Sequence, residues 1–184
     1  MTLVESWNGL VWSVVPSPNV AGGIGTADKL LSVSCTSSSC VAVGRTELAP
    51  GLMTLVESWN GSVWSVVPSP DVAGGGISGE LESVSCTSSS SCVAAGLRQL
   101  NSNFVTLVES WNGSAWSVVP SPNVGNEDNW IFSLSCVSSV WCFAVGNSHF
   151  GSDYETLVLS LTGPEPSPTT TTTSSDPVAP SFAG

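Results

Sequence analysis

TLVESWNGLVWSVVPSPNV at residues 2–20 returns as TLVESWNGSVWSVVPSPDV at 54–72 and as TLVESWNGSAWSVVPSPNV at 106–124. The step from Trp7 to Trp59 to Trp111 is 52 residues each time. A fixed period of this size means that one supersecondary unit is copied along the chain and buries its apolar face by stacking on its neighbours. The motif also states its own local structure. TLVESW and WSVV are short β-prone runs, and the Asn-Gly between them signals a hairpin because both residues tolerate positive φ. Pro-Ser-Pro closes the second run and fits an outer edge, where a missing N–H costs no ladder bond.

Between these hairpins lie LLSVSCTSSSCVAVG (30–44), LESVSCTSSSSCVAAG (81–96) and IFSLSCVSSVWCFAVG (131–146). Each reads as a β-prone run, a Ser-rich turn and a second β-prone run ending in glycine. One unit therefore holds four strands: SVSC, CVAVG, TLVESW and WSVV. Four antiparallel strands in about 50–52 residues predict propeller blades, and so an all-β fold, a partial β-propeller of four-stranded blades.

The ordered pattern SVSC, Ser-rich turn, CVAVG and TLVESWNGxxWSVVPSP resembles the tandem β-propeller repeats of secreted actinobacterial proteins. More distantly it is similar to Asp-box and photosystem-assembly-factor propellers, whose blades carry a VG strand end and a Gly-rich turn followed by Trp. The resemblance covers residues 2 to about 163. Trp7-Asn8-Gly9 departs from an Asp box, standing where that box has its Asp and glycines. The resemblance implies the fold; it brings no family-wide activity to place on residues of this chain.

The repeat region at 1–163 divides into a half blade, two full blades and one incomplete blade, whose third run, TLVLSLTG (156–163), is a decayed copy of TLVESWNG. Closed propellers usually have about four to eight blades. The expectation is that closure needs further blades or self-association. Met1 aligns with Met53, so the chain opens inside a repeat, which points to a truncated frame, a misassigned start or an excised fragment. The absence of a signal peptide then says little about location. Residues 164–184, PEPSPTTTTTSSDPVAPSFAG, read as a Pro/Thr/Ser-rich disordered linker or an O-glycosylated stalk.

Composition excludes several classes of function. Fourteen acidic residues face only Lys29, Arg45 and Arg98 among the 184, for a net charge of −11. Three cations cannot build the basic patch that nucleic acid requires. No apolar run approaches the roughly 18–20 residues of a membrane span. Cys35/Cys40, Cys86/Cys92 and Cys136/Cys142 each straddle one hairpin turn, an even and local pattern that predicts three disulfides and an extracellular or cell-surface setting. Free core thiols and a metal site are the alternatives, and with a single histidine, His149, the metal set is poor.

Eight tryptophans suggest a carbohydrate-binding surface, yet six of them, in the pairs Trp7/Trp12, Trp59/Trp64 and Trp111/Trp116, are locked to the repeat and read first as packing. Trp130 and Trp141 have no counterpart in other units and lie near Asn126-Glu127-Asp128-Asn129, which makes them the candidate ligand-binding residues. Glu5, Glu57 and Glu109 recur in the third strand without a calcium loop around them, as structural glutamates do. Asn60-Gly61-Ser62 and Asn112-Gly113-Ser114 match the glycosylation sequon but are already explained as turns. No GxSxG, HExxH or spaced carboxylate pair selects a catalytic set.

The sequence thus predicts a non-catalytic extracellular binding or scaffolding module with no cofactor, whose partner is carbohydrate or another extracellular protein. The competing readings are a glycan-processing propeller whose catalytic blades are missing, and a lectin that self-assembles from partial propellers. A cluster of non-repeated polar side chains in a shared cleft would favour the enzyme; equivalent pockets between successive blades would favour the lectin.

Overall fold

The computed structural model describes residues 2–20, 28–48, 51–70 and 78–162. The linker expected at 164–184 lies outside them. The described residues form thirteen strands and no helix, so no helix is long and apolar enough to cross a membrane. A two-stranded sheet comes first, β1 (Val4–Trp7) with β2 (Trp12–Val15). The second sheet runs in sequence order through β3 (Lys29–Cys35), β4 (Cys40–Leu48), β5 (Gly51–Trp59) and β6 (Trp64–Val66). The third does the same through β7 (Gly79–Ser88), β8 (Ser91–Leu100), β9 (Asn103–Trp111) and β10 (Trp116–Val119). The fourth has three strands, β11 (Asn129–Ser138), β12 (Trp141–Phe150) and β13 (Asp153–Thr162). All pairings within these sheets are antiparallel.

Register follows the repeat. Trp7 pairs with Trp12, Trp59 with Trp64 and Trp111 with Trp116, each across a four-residue loop. The loop is not the two-residue turn that Asn-Gly suggested. Only the glycines take positive φ, at 99° for Gly9 and 95° for Gly61 and Gly113. The asparagine works through its side chain: Asn60 Oδ1 accepts from the amides of Ser62 and Val63, each at 3.0 Å, as an Asx turn does. The central hairpins are longer than the short runs read from sequence, because β4–β5 and β8–β9 continue pairing as far as Leu48–Gly51 and Leu100–Asn103.

The glycine that ends each CVAVG run has a steric cause. The first strand of each of the three larger sheets carries a bulge, at Leu30/Ser32, Leu81/Ser83 and Ile131/Ser133. A Cβ on Gly44, Gly96 or Gly146 would stand 1.9, 2.0 or 1.8 Å from the carbonyl oxygen of Lys29, Glu80 or Trp130. Only glycine permits that approach.

The three larger sheets lie side by side. Val41, Val43 and Val56 of the second pack on Leu81, Val84, Cys92, Ala94, Leu107 and Trp116 of the third. Ala95 and Val108 of the third pack likewise on Ile131, Leu134, Ala144, Leu157 and Leu159 of the fourth. Their first strands are joined by side chains in a repeated way. Ser32 and Ser34 Oγ accept from the amides of Val84 and Cys86 at 3.1 and 2.9 Å, and Ser83 and Ser85 accept from Leu134 and Cys136, both at 3.1 Å. A second bridge forms further out, where Ser17 donates to Glu57 at 2.5 Å and Ser69 to Glu109 at 2.7 Å. Glu57 and Glu109 are both fully buried. Burial pushes the Glu57 carboxyl above its ordinary value, an effect that hydrogen bonds from Ser17 and Thr2 partly offset. No barrel and no ring closes among the described residues.

Candidate functional site

Disulfides form between Cys35 and Cys40, Cys86 and Cys92, and Cys136 and Cys142, and no described cysteine is free. Each bridges facing residues at the tip of a first hairpin. They hold the turns of the first hairpins and are compatible with an extracellular protein. The repeated tryptophans pair across their loops at centroid distances of 5.6, 5.8 and 5.7 Å. Trp116 is buried in the core between the second and third sheets, whereas Trp7 and Trp12 are exposed.

Trp130 and Trp141 occupy opposite ends of one hairpin. Trp130 faces Asn147 near the start of β11, and Trp141 faces Ser138 at its end, roughly 26 Å away at the usual rise per strand residue. The structure therefore does not bring them into one patch. Trp141 stands beside Phe143, ring centroids 6.1 Å apart, next to the Cys136–Cys142 bridge.

Trp130 belongs to a larger aromatic group. Its ring lies 6.3 Å from Phe104 on β9 and 6.0 Å from Tyr154 on β13, and Tyr154 lies 5.0 Å from the His149 ring. Phe104 and Tyr154 hold the same repeat position on neighbouring sheets, two residues before Thr106 and Thr156. Trp130, at the bulged start of β11, lies between them. Tyr154 is 67% exposed and Phe150, at the adjoining turn, 65%, so the strip faces solvent along an open rim.

The polar border of this rim comes from 124–129. Buried Asn129 anchors that loop, its side chain accepting from Val124 N at 2.9 Å and donating to the carbonyls of Val124 and Glu127. Asp128 Oδ1 accepts from Phe104 N at 2.7 Å, and Glu127 Oε2 from Gly151 N at 2.9 Å. His149 Nδ1 stands 3.4 Å from the same Glu127 oxygen, and Asn103 Nδ2 donates to the carbonyl of Asn126. The loop thus ties the β8–β9 turn to the β12–β13 turn. Carboxylates, amides and an imidazole border a row of rings.

A second polar group spans the second and third sheets at the repeat position that Trp130 holds in the fourth. Glu80 pairs with Arg45, and Glu82 is pushed above its ordinary value by burial and by the neighbouring Glu80. Among the described residues no group of three His, Cys, Asp or Glu side chains could hold a metal ion.

Sequence reading found Trp130 but missed Phe104, Tyr154 and His149. The signal was the same in kind: Tyr154 is the only tyrosine and His149 the only histidine of a chain that otherwise copies itself. No protein-family model matches the chain, and no curated protein matches it in sequence.

Proposed function

We propose that the chain is a non-catalytic extracellular binding module, built as an arc of propeller blades, that presents the Phe104–Trp130–Tyr154 rim to carbohydrate. The observation that carries this reading is the rim itself: a row of rings across two sheets, outside the repeat consensus and bordered by hydrogen-bonding groups. Aromatic rings offer the apolar faces of sugar rings a flat contact, and the border can orient the hydroxyls. The propeller arc is supported by sequential four-stranded sheets placed side by side with their first strands adjacent. The extracellular setting is supported by the three disulfides.

Non-repeated polar side chains do gather here, as an enzyme would require, but along an open edge. One oxygen of Glu127 and one of Asp128 are engaged by backbone amides and hold the turns in place. That is the work of a scaffold.

A glycan array probed with the oxidised protein tests the proposal. Saturable binding that weakens about tenfold in Trp130→Ala and in Tyr154→Ala, equivalent to about 1.4 kcal/mol, is the expected result. Binding untouched by both changes would remove the rim as the site. Turnover of a chromogenic glycoside that is abolished by Glu127→Gln would overturn the non-catalytic reading.

A further inference from the structure

Corresponding surfaces of the second, third and fourth sheets differ sharply in how far they are covered. Val84 on β7 is 6% exposed and Leu134 on β11 is 7%, each under the preceding sheet, whereas Val33, at the same position on β3, is 60% exposed. Leu81 and Ile131 are fully buried, while their counterpart Leu30 is only partly so. Trp116 is 6% exposed, and its counterpart Trp64 is partly open. These open positions of the second sheet form one side of a groove of about 560 Å³. The β1–β2 sheet forms the other side, with Leu3, Glu5, Trp7 and Trp12.

What fills the equivalent space elsewhere is on display twice. Between the second and third sheets it is the β3–β4 hairpin, which inserts Val41 and Val43 and offers Ser32 and Ser34 to the amides of Val84 and Cys86. Between the third and fourth it is β7–β8, with Val93, Ala95, Ser83 and Ser85 in the same places. In both cases the hairpin's second strand also pairs with the strand that corresponds to β1, namely β5 or β9. Among the described residues β1 pairs with β2 alone, which leaves its other edge open. Among the described residues no serine hydroxyl reaches the amides of Val33 and Cys35, the counterparts of Val84 and Cys86.

We infer that this groove is an acceptor site for a two-stranded, disulfide-closed β-hairpin of the repeat's own kind, with serines at alternate positions of its first strand and two small apolar residues on its second. The hairpin adds its second strand to the β1 edge, the mode of strand addition in which main-chain bonds give affinity and side-chain pockets give specificity. Its serines take the amides of Val33 and Cys35, and its apolar pair covers Val33, Leu30 and Trp64. Among its described residues a second copy of this chain does not offer such a hairpin. β4, β8 and β12 are each already paired on both edges, with β3 and β5, β7 and β9, and β11 and β13. The occupant is therefore a hairpin whose second strand has a free edge. The inference rests on the arc reading of the sheets and not on the rim ligand, so the experiment below and the glycan array fail independently.

The full oxidised chain is titrated with a synthetic peptide of the 79–98 sequence, closed by its own disulfide. In parallel the same hairpin is fused ahead of residue 1 through a flexible linker, so that a peptide too poorly folded to bind in trans does not decide the outcome. Expected in the fused chain is amide exchange at Val33 and Cys35 slowed by at least roughly tenfold, with a blue shift of tryptophan emission as Trp7 and Trp12 are covered. Val33→Arg, a change at an exposed position, should return both signals to those of the unfused chain. Replacing the two first-strand serines of the added hairpin by alanine should weaken amide protection while leaving the emission shift. A fused chain whose Val33 and Cys35 amides exchange as before, or whose protection persists with Val33→Arg, overturns the proposal.

Discussion

Gly96 and Glu57 show how single residues of the repeat carry the packing. The Gly96 Cα lies under the Glu80 carbonyl, brought there by the bulge in β7, and a methyl group would meet that oxygen at 2.0 Å. Neither partner is a flexible side-chain end, so Gly96→Ala must push two backbones apart, at a cost of about 3 kcal/mol. Urea denaturation should show the unfolding free energy falling by that amount, seen as a lower midpoint at unchanged slope, with no comparable loss for Ala95→Gly beyond its smaller side chain; an unchanged midpoint would mean that the bulge relaxes freely. Glu57 yields a prediction in pH. Its carboxyl and that of Glu82 are both held above the ordinary value of 4.5, chiefly by burial. The folded state therefore binds these protons more tightly than the unfolded chain does. Their contribution to stability is fully present below that ordinary value and is lost as pH rises through the raised folded values. Thermal melts should give a higher Tm near pH 4.5 than near pH 7.5. In Glu57→Gln, which can still accept from Ser17, the fall should be shallower; a Tm that climbs over this interval in the parent chain would contradict the assignment.

Among the elements, the first hairpins and the Trp hairpins were legible in sequence to different depths. The repeat named every sheet, because identical runs at a fixed spacing must fold alike. The cysteine spacing named the bridges, because facing residues beside a short turn are already near bonding distance. The loop type was not legible. Asn-Gly is shared by tight two-residue turns and by the four-residue Asx loop observed at Asn60–Val63, and only the Trp59–Trp64 register separates them. Nor was the aromatic rim. Phe104, Trp130 and Tyr154 come from three strands on two sheets, and nothing in their spacing states that those strands converge. Trp141, equally unusual in sequence, lies at the opposite end of its hairpin for the same reason: position along a strand, not rarity, decides which residues meet. The bridges themselves can be tested one at a time. Closing a loop of about seven residues restricts the unfolded chain by about 2 kcal/mol on the chain-entropy view. Replacing both Cys86 and Cys92 with Ala should cost about that much. Peptide mapping without reduction should recover the links 35–40, 86–92 and 136–142. Six free thiols in protein from an oxidising compartment would refute the pairing.

At the scale of the molecule, the sheets bury their faces in series, and a series has two outer faces. On the first, Val33 is 60% exposed and Trp12 65%; on the last, Phe143 is 46%, Val145 47% and Val158 63% exposed. Phe143 and Val145 hold the positions that are Val41 and Val43 in the second sheet, where they enter the core against the third. Among the described residues the last face is thus built like an internal one and left open, and an apolar patch of this kind drives association. Opposing it is a net charge of −11, since two copies approaching face to face repel. The two effects respond differently to salt. Added electrolyte screens the repulsion over about 8–10 Å at physiological ionic strength and leaves burial of apolar surface in place. Sedimentation velocity should therefore show the mean mass rising with protein concentration, and rising further as salt is added at a fixed concentration. Phe143→Lys combined with Val158→Lys should restore a monomer without altering the fold, because both side chains are exposed. The Val33→Arg change should leave this association intact, since it alters the opposite face. A chain that sediments as a monomer at every salt and protein concentration would show that these exposed side chains are too dispersed to act as a face.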